Sequence, residues 1–167
     1  MSTQTENAII NVTARDGETY QIGPELVTLK VPVAESNGHY LVIEVNTPPG
    51  GGPPLHTHPS DEVFFVVEGE FEFPTIQDGQ HVSVKASAGE TVNIPGNAPH
   101  SYKNIGSDYG KLIGVLSPGD DMEGFFREGG LLYTSLPSKP GLDSAPDFPR
   151  MMAAAQKYGM AFLPPES

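Results

Sequence analysis

Three of the chain's five histidines fall within two short motifs whose other residues suit metal chemistry. The first reads Gly50-x5-His56-x-His58-x3-Glu62-x6-Gly69, and the second Gly89-x5-Pro95-Gly96-Asn97-x2-His100-x3-Asn104. His56 and His58 are two apart, so on a strand both point to one face, with Cα atoms roughly 7 Å apart. Two imidazoles can converge on one ion across that gap. Glu62 on the same straight strand would lie roughly 20 Å from His56, so the chain must fold back between them. Pro59-Ser60-Asp61 is turn chemistry that permits this, with Glu62 opening the next strand and facing its neighbour across a hairpin. Asp61, within the turn, is the weaker candidate. His100 follows the turn Pro95-Gly96-Asn97 and starts another strand. If it points inward, Tyr102 and Asn104 share its face, while Ser101 and Lys103 point outward.

Three imidazoles and one carboxylate leave open positions on a metal that takes five or six ligands. One divalent Fe, Mn, Ni, Co or Cu ion per chain fits that donor set, and Zn also remains open. A lone His-x-His is usually a surface or core pair without metal. The carboxylate and the third histidine, each placed after a turn, separate this case from that one. His39 and His81 lie outside both motifs and read as surface residues. The chain contains no cysteine, which excludes thiolate ligands, a thiol nucleophile and disulfides.

The elements that must position these residues are short. The 19 glycines and 17 prolines are spread along the 167 residues, as expected for many strands joined by tight turns. Strands are expected over 27–33, 40–45, 63–67, 70–73, 91–94, 101–104 and 111–116, with a further strand carrying Val82 and Val84. Asn37-Gly38, Glu68-Gly69 and Asp78-Gly79 supply turns. Residues 48–54, Pro-Pro-Gly-Gly-Gly-Pro-Pro, can be neither helix nor central strand and lead directly into His56. Residues 122–127 read as one or two helical turns, and 135–149 as irregular chain. A late helix starts near Pro149, with Asp147 as its cap, and runs to Gly159. Eight to ten strands with one late helix indicate an all-β antiparallel barrel or jelly roll.

Nine basic residues against 21 acidic ones give a net charge of −12, which repels phosphate backbones and anionic lipid. Nucleic-acid and membrane partners are therefore not expected, and a small molecule is. Residues 1–7 have neither the basic nor the apolar region of a signal peptide, and no apolar run approaches a membrane span. The expected location is cytoplasmic.

The two motifs together resemble the signature pair of the cupin superfamily, whose fold is a double-stranded β-helix, or jelly roll. The resemblance implies a cupin barrel with a short C-terminal helix. It maps His56, His58, Glu62 and His100 onto the four cupin metal ligands. Asn97 stands where the family usually has Gly, and Asn tolerates the left-handed backbone such a turn needs. The expected organisation is a single domain over 1–167, with a barrel core at 22–118 and a C-terminal loop and helix at 119–167. Pro53-Pro54-Leu55-His56, residues 95–104, Ser117-Pro118-Gly119, Glu123-Gly124-Phe125-Phe126 and Lys157-Tyr158-Gly159 are similar to bacterial quercetin 2,3-dioxygenase-type monocupins. That likeness implies an oxygenase acting on a small aromatic or enolisable substrate, with Glu62 as both ligand and general base.

Tyr102, Phe64 and Val66 are pocket candidates, the last two reading more readily as barrel core. Phe125 and Phe126 either cover the barrel mouth or pack on the late helix. A metal-dependent isomerase or lyase, or a non-catalytic ligand-binding cupin, remains open at this point. Cupins that isomerise sugars usually carry a basic residue near the metal, and here the motifs offer only Lys103. Pairing through barrel edges implies a homodimer.

Overall fold

The computed structural model describes residues 8–134 and 145–164. The irregular segment expected from residue 135 onwards therefore lies mostly outside the described residues. The strands are β1 (Glu18–Ile22), β2 (Glu25–Val31), β3 (Leu41–Thr47), β4 (His56–Thr57), β5 (Asp61–Glu68), β6 (Glu70–Gln77), β7 (Gln80–Ser87), β8 (Thr91–Ile94), β9 (Lys103–Asn104), β10 (Gly110–Ser117), β11 (Leu131–Tyr133) and β12 (Ala161–Phe162). The helices are α1 (Asp120–Gly129) and α2 (Phe148–Lys157). The jelly roll is present, built as a seven-stranded sheet in the order β11-β1-β2-β3-β10-β5-β8, a three-stranded sheet β7-β6-β9, and the pair β12-β4. The paired strands are antiparallel throughout.

Strand alternation places the core. On β3, Leu41, Ile43, Val45 and Thr47 are buried while the residues between them are half-exposed. On β5, Glu62, Phe64 and Val66 face inward, leaving Phe65 and Val67 on the outer surface. β10 lies between these two strands, with Gly114 opposite both Ile43 and Phe64. A Cβ at Gly114 would come within 3.0 Å of side-chain atoms of each, so the missing side chain makes room for the Phe64 ring. Asp78 and Gly79 both have positive φ at the β6–β7 hairpin, the conformation the tight two-residue turn requires.

Several expectations need adjustment. Residues 120–129 form a full ten-residue helix rather than one or two turns. Its acidic first turn (Asp120, Asp121, Glu123) and Arg127 in the last turn suit the helix dipole. β1, β11 and β12 were not anticipated. β1 pairs with both β2 and β11, so the sheet begins at residue 18 and takes in chain beyond residue 118. The strand expected over 101–104 is only two residues long. α2 is capped as expected, the Asp147 carboxylate accepting from the Arg150 backbone N–H at 3.0 Å. No helix among the described residues is long and apolar enough to cross a membrane.

Candidate metal centre

The Pro-Gly loop at 48–54 is fixed chain, and it sets the position of the first ligand. Gly50 N–H donates to Asn104 O, and Asn104 N–H donates to Gly51 O, each at 2.9 Å. At Gly52 a Cβ would lie 1.8 Å from the Tyr102 carbonyl oxygen, so only glycine allows this approach. His56 and His100 then exchange both backbone hydrogen bonds at 2.9 Å, which seats the two imidazoles side by side. Ser101 was expected to point outward but is buried. Strict alternation fails because residues 100–102 are not regular strand, and the Ser101 hydroxyl donates to Pro53 O at 2.6 Å. Tyr102 and Asn104 are buried and Lys103 is exposed, as parity requires.

The chain folds back after His58 and Glu62 lies at the start of β5, as the spacing demanded. The hairpin does not form, however. β4 pairs with β12, while β5 pairs with β10 and β8. Asp61, expected within the turn, instead opens β5 opposite Ser117; it is exposed, with its carboxylate accepting from Gly96 N–H at 2.7 Å. That bond ties the start of β5 to the turn before His100. Asn97, in this second turn, has φ 64°, the left-handed conformation anticipated for it.

His56, His58 and His100 are all buried, and each offers a ring nitrogen within 4.8 Å of the others'. Glu62 Oε2 lies 3.1 Å from His58 Nε2 and 3.2 Å from His100 Nε2. Second contacts fix two of the ring tautomers. His56 Nδ1 donates to Pro54 O and His100 Nδ1 to Ala98 O, both at 2.8 Å. A carbonyl can only accept, so in each neutral ring Nε2 is left with a free lone pair, the form that binds metal. His100 Nε2 is buried, makes no hydrogen bond and faces the carboxylate oxygen lone pair to lone pair. A cation between them removes that repulsion, so the residues fit a bound metal ion.

Burial pushes the His56 imidazole down to about 3, with neighbouring His100 adding to the effect. Burial alone would raise the Glu62 carboxyl, but the hydrogen bonds and positive charge that His100 and His58 offer in imidazolium form outweigh it and hold it at about 2. His39 and His81 are exposed, as expected.

His56, His58 and Glu62 lie in the wall of a cavity of about 240 Å³ that Phe64, Tyr102, Phe125, Phe126, Met151 and Phe162 also line. Phe64 and Tyr102 are thus both core and cavity wall, whereas Val66 is core alone. Phe125 and Phe126 likewise do both things proposed for them. They line the cavity, and their helix packs on α2, Gly129 lying against Phe125 and Ala154. Sequence reasoning missed several contributors, among them Phe162 and Glu25. Phe162, on β12, stacks edge-on to His56 at 6.2 Å. Glu25 is buried in the same cavity wall. The alternation Glu25, Val27, Leu29 along β2 was the available signal, because it places a carboxyl on the face of two core residues.

Comparison with known proteins agrees with this geometry. Residues 43–116 match the family model described as the Cupin domain. Germin-like protein 3-8 of Oryza sativa subsp. japonica is 30% identical over 151 residues, covering 89% of this chain and 61% of that protein. The chain therefore spans about three-fifths of that curated relative. Among solved structures, an RmlC-like cupin from Shewanella frigidimarina superimposes with a TM-score of 0.54 at 24% identity, covering 64% of this chain and 88% of that one. Oxalate decarboxylase of Bacillus subtilis superimposes with a TM-score of 0.56 at 18% identity, covering 63% of this chain and 28% of that one. Both show likeness of fold. Ligand arrangement and sheet topology agree with the family match: residues 43–116 are similar to the Cupin domain, and the chain around them folds as a jelly roll.

Proposed function

We propose that this chain is a metal-dependent oxygenase of the quercetinase-like kind, acting on a small, mostly apolar aromatic or enolisable substrate. The observation that supports this is the placement of His56, His58 and Glu62, with His100 clustered against them, in the wall of a largely apolar cavity. A first-row transition ion held by His56, His58, Glu62 and His100 would supply Lewis-acid and one-electron chemistry toward a substrate oxygen and O2. The chain's own residues prepare that chemistry. The aromatic wall keeps water from the reacting groups and strengthens their electrostatics. The Pro54 and Ala98 carbonyls hold His56 and His100 in the tautomer that leaves Nε2 free. Glu62 carries its charge into the site and is assigned as both ligand and acceptor of the substrate's hydroxyl proton. A carboxyl at about 2 suits a ligand better than a base matched to neutrality, and turnover per bound metal separates the two roles.

An isomerase or lyase acting on a sugar phosphate or dicarboxylate has less support. Among the described residues lining the cavity, none is Lys or Arg.

Oxygen uptake by metal-loaded protein, screened against enolisable aromatics in air, tests the proposal. Uptake is expected only with metal bound, and Glu62→Gln should lower turnover per bound metal by about 10²–10⁴-fold. Normal turnover per metal would confine Glu62 to ligation. No uptake with any substrate would move the isomerase, lyase and binding readings ahead.

A further inference from the structure

Glu25 takes no part in the histidine cluster, yet it lines the same cavity. It opens β2 and is only 3% exposed. Its Oε1 accepts the Thr47 hydroxyl at 2.8 Å and its Oε2 accepts the Tyr102 hydroxyl at 3.0 Å. No Lys or Arg lines the cavity among the described residues, so these two hydroxyls are what compensate the carboxyl. Burying a carboxyl without a counter-ion is costly, and a glutamine would link β2, β3 and Tyr102 at less cost. A carboxyl kept in a cavity wall under those conditions marks a surface that meets a ligand. Burial pushes it up to about 7, with the two hydroxyls partly offsetting the rise. Near neutrality a large fraction is therefore protonated and offers an O–H donor as well as acceptor lone pairs.

Size and charge restrict what could sit between Glu25 and the histidines. A dry cavity of roughly 150 Å³ accommodates benzene. The chamber here, at about 240 Å³, has room for one substituted ring within it, and a three-ring ligand would have to extend beyond it. Away from the metal ligands, the wall offers the Glu25 carboxyl and, among the described residues, no basic side chain, so it gives a second anionic group of a ligand no counter-charge.

Resting on the metal-site reading above, we propose that Glu25 is a second ligand anchor, taking a hydroxyl at the end of the substrate remote from the histidine cluster. The substrate is then an uncharged single-ring hydroxy-aromatic or cyclic enolone, rather than a three-ring flavonol or a dicarboxylate.

Two pyranones that differ by one hydroxyl test this. Kojic acid and allomaltol share the same metal-chelating enolone, and kojic acid adds a hydroxyl on the substituent at the far side of the ring. Affinities are measured by calorimetry on the full chain loaded with Co(II), for the wild type, Glu25→Met and Glu25→Gln. Chelation is common to both compounds, so their ratio isolates the remote hydroxyl. The wild type is expected to prefer kojic acid by about tenfold or more, the scale of one buried hydrogen bond. Glu25→Met should abolish the preference. Glu25→Gln, which keeps a donor and an acceptor, should retain it within about threefold. Quercetin and oxalate should fail to displace kojic acid.

A preference that survives Glu25→Met, or is absent from the wild type, overturns the anchor. Displacement by quercetin or oxalate overturns the substrate class, as does failure of both pyranones to bind. The oxygenase reading is separable from these results. If the kojic acid preference holds but no oxygen is consumed, that reading falls and the anchor stands. If oxygen is consumed without the preference, the anchor alone falls.

Discussion

At the residue scale, the two carboxyls of the cavity sit in environments that drive them apart. Glu62, between two imidazoles, is held at about 2, and Glu25, beside two hydroxyls, is pushed up to about 7. Each makes a pH-dependent prediction of its own sign. For the metal, protons compete for the imidazole nitrogens. The low values at His56 and Glu62 keep those two in ligand form well into mild acid. Metal content followed on acidification should therefore fall with a midpoint below the free-imidazole value of ~6.5. A midpoint above that value, or retention down to pH ~2, contradicts a three-histidine site. Purified protein should carry close to one transition metal per chain. His58→Ala should weaken binding by more than the 10–100-fold typical of losing an outer partner.

For Glu25 the sign is reversed relative to a salt-bridged carboxylate. Its folded value lies above the unfolded one of 4.5, so the folded state holds its proton longer. Stability from this group is complete below 4.5, falls as pH rises toward about 7, and is lost by roughly 3 kcal/mol above it. Glu25→Gln should accordingly be more stable than wild type in denaturant melts at pH 8, with the advantage disappearing at pH 4. Equal differences at both pH values would show that the carboxyl is not held protonated.

At the scale of elements, the loop at 48–54 carries more of the site than its composition suggests. It binds Asn104 through Gly50 and Gly51, receives Ser101 at Pro53, and supplies the carbonyl that orients His56. Gly52→Ala should push this loop off the Tyr102 backbone. The expected result is a loss of about 2 kcal/mol or more, seen as a fall in Tm of roughly 4–8 °C, together with weaker metal binding. Unchanged metal affinity in a destabilised variant would mean that the loop supports the fold without positioning the ligands.

What could be read in advance follows from the range of the forces involved. His56, His58, Glu62 and His100 stood out because ligation demands particular residue types at particular turns. Glu25 did not, because its partners Thr47 and Tyr102 are 22 and 77 residues away in sequence. Ser101 broke parity because a hydrogen bond to Pro53, 48 residues away in sequence, rather than a strand ladder, sets its direction. β4 and β12, two residues each, are too short for any periodicity to reveal. They exist because the chain's two distant segments meet.

At the scale of the whole molecule, β7 is the exposed feature. It pairs with β6 alone among the described residues, and Val82 and Val84 are 37% and 51% exposed. Phe65 and Val67 add apolar surface on the outer face of β5. Open strand edges with apolar side chains favour pairing with another chain, and a second copy is the expected cover. Light scattering should give about twice the 17.8 kDa chain mass, whereas a mass near 17.8 kDa at high concentration would refute the homodimer.

The pairing of β4 with β12 also bears on how the centre comes into being. Thr57 and Ala161 lie opposite each other although roughly a hundred residues of chain separate them, and Phe162 completes the wall beside His56. Closing so long a loop is entropically expensive and belongs to the late events of folding. A nascent chain that has extended just past His100 already holds every candidate ligand, but it lacks the strand that flanks His56 and the wall residues Phe125, Phe126 and Phe162. In the order of synthesis, the histidines come first and the closing strand beside them last.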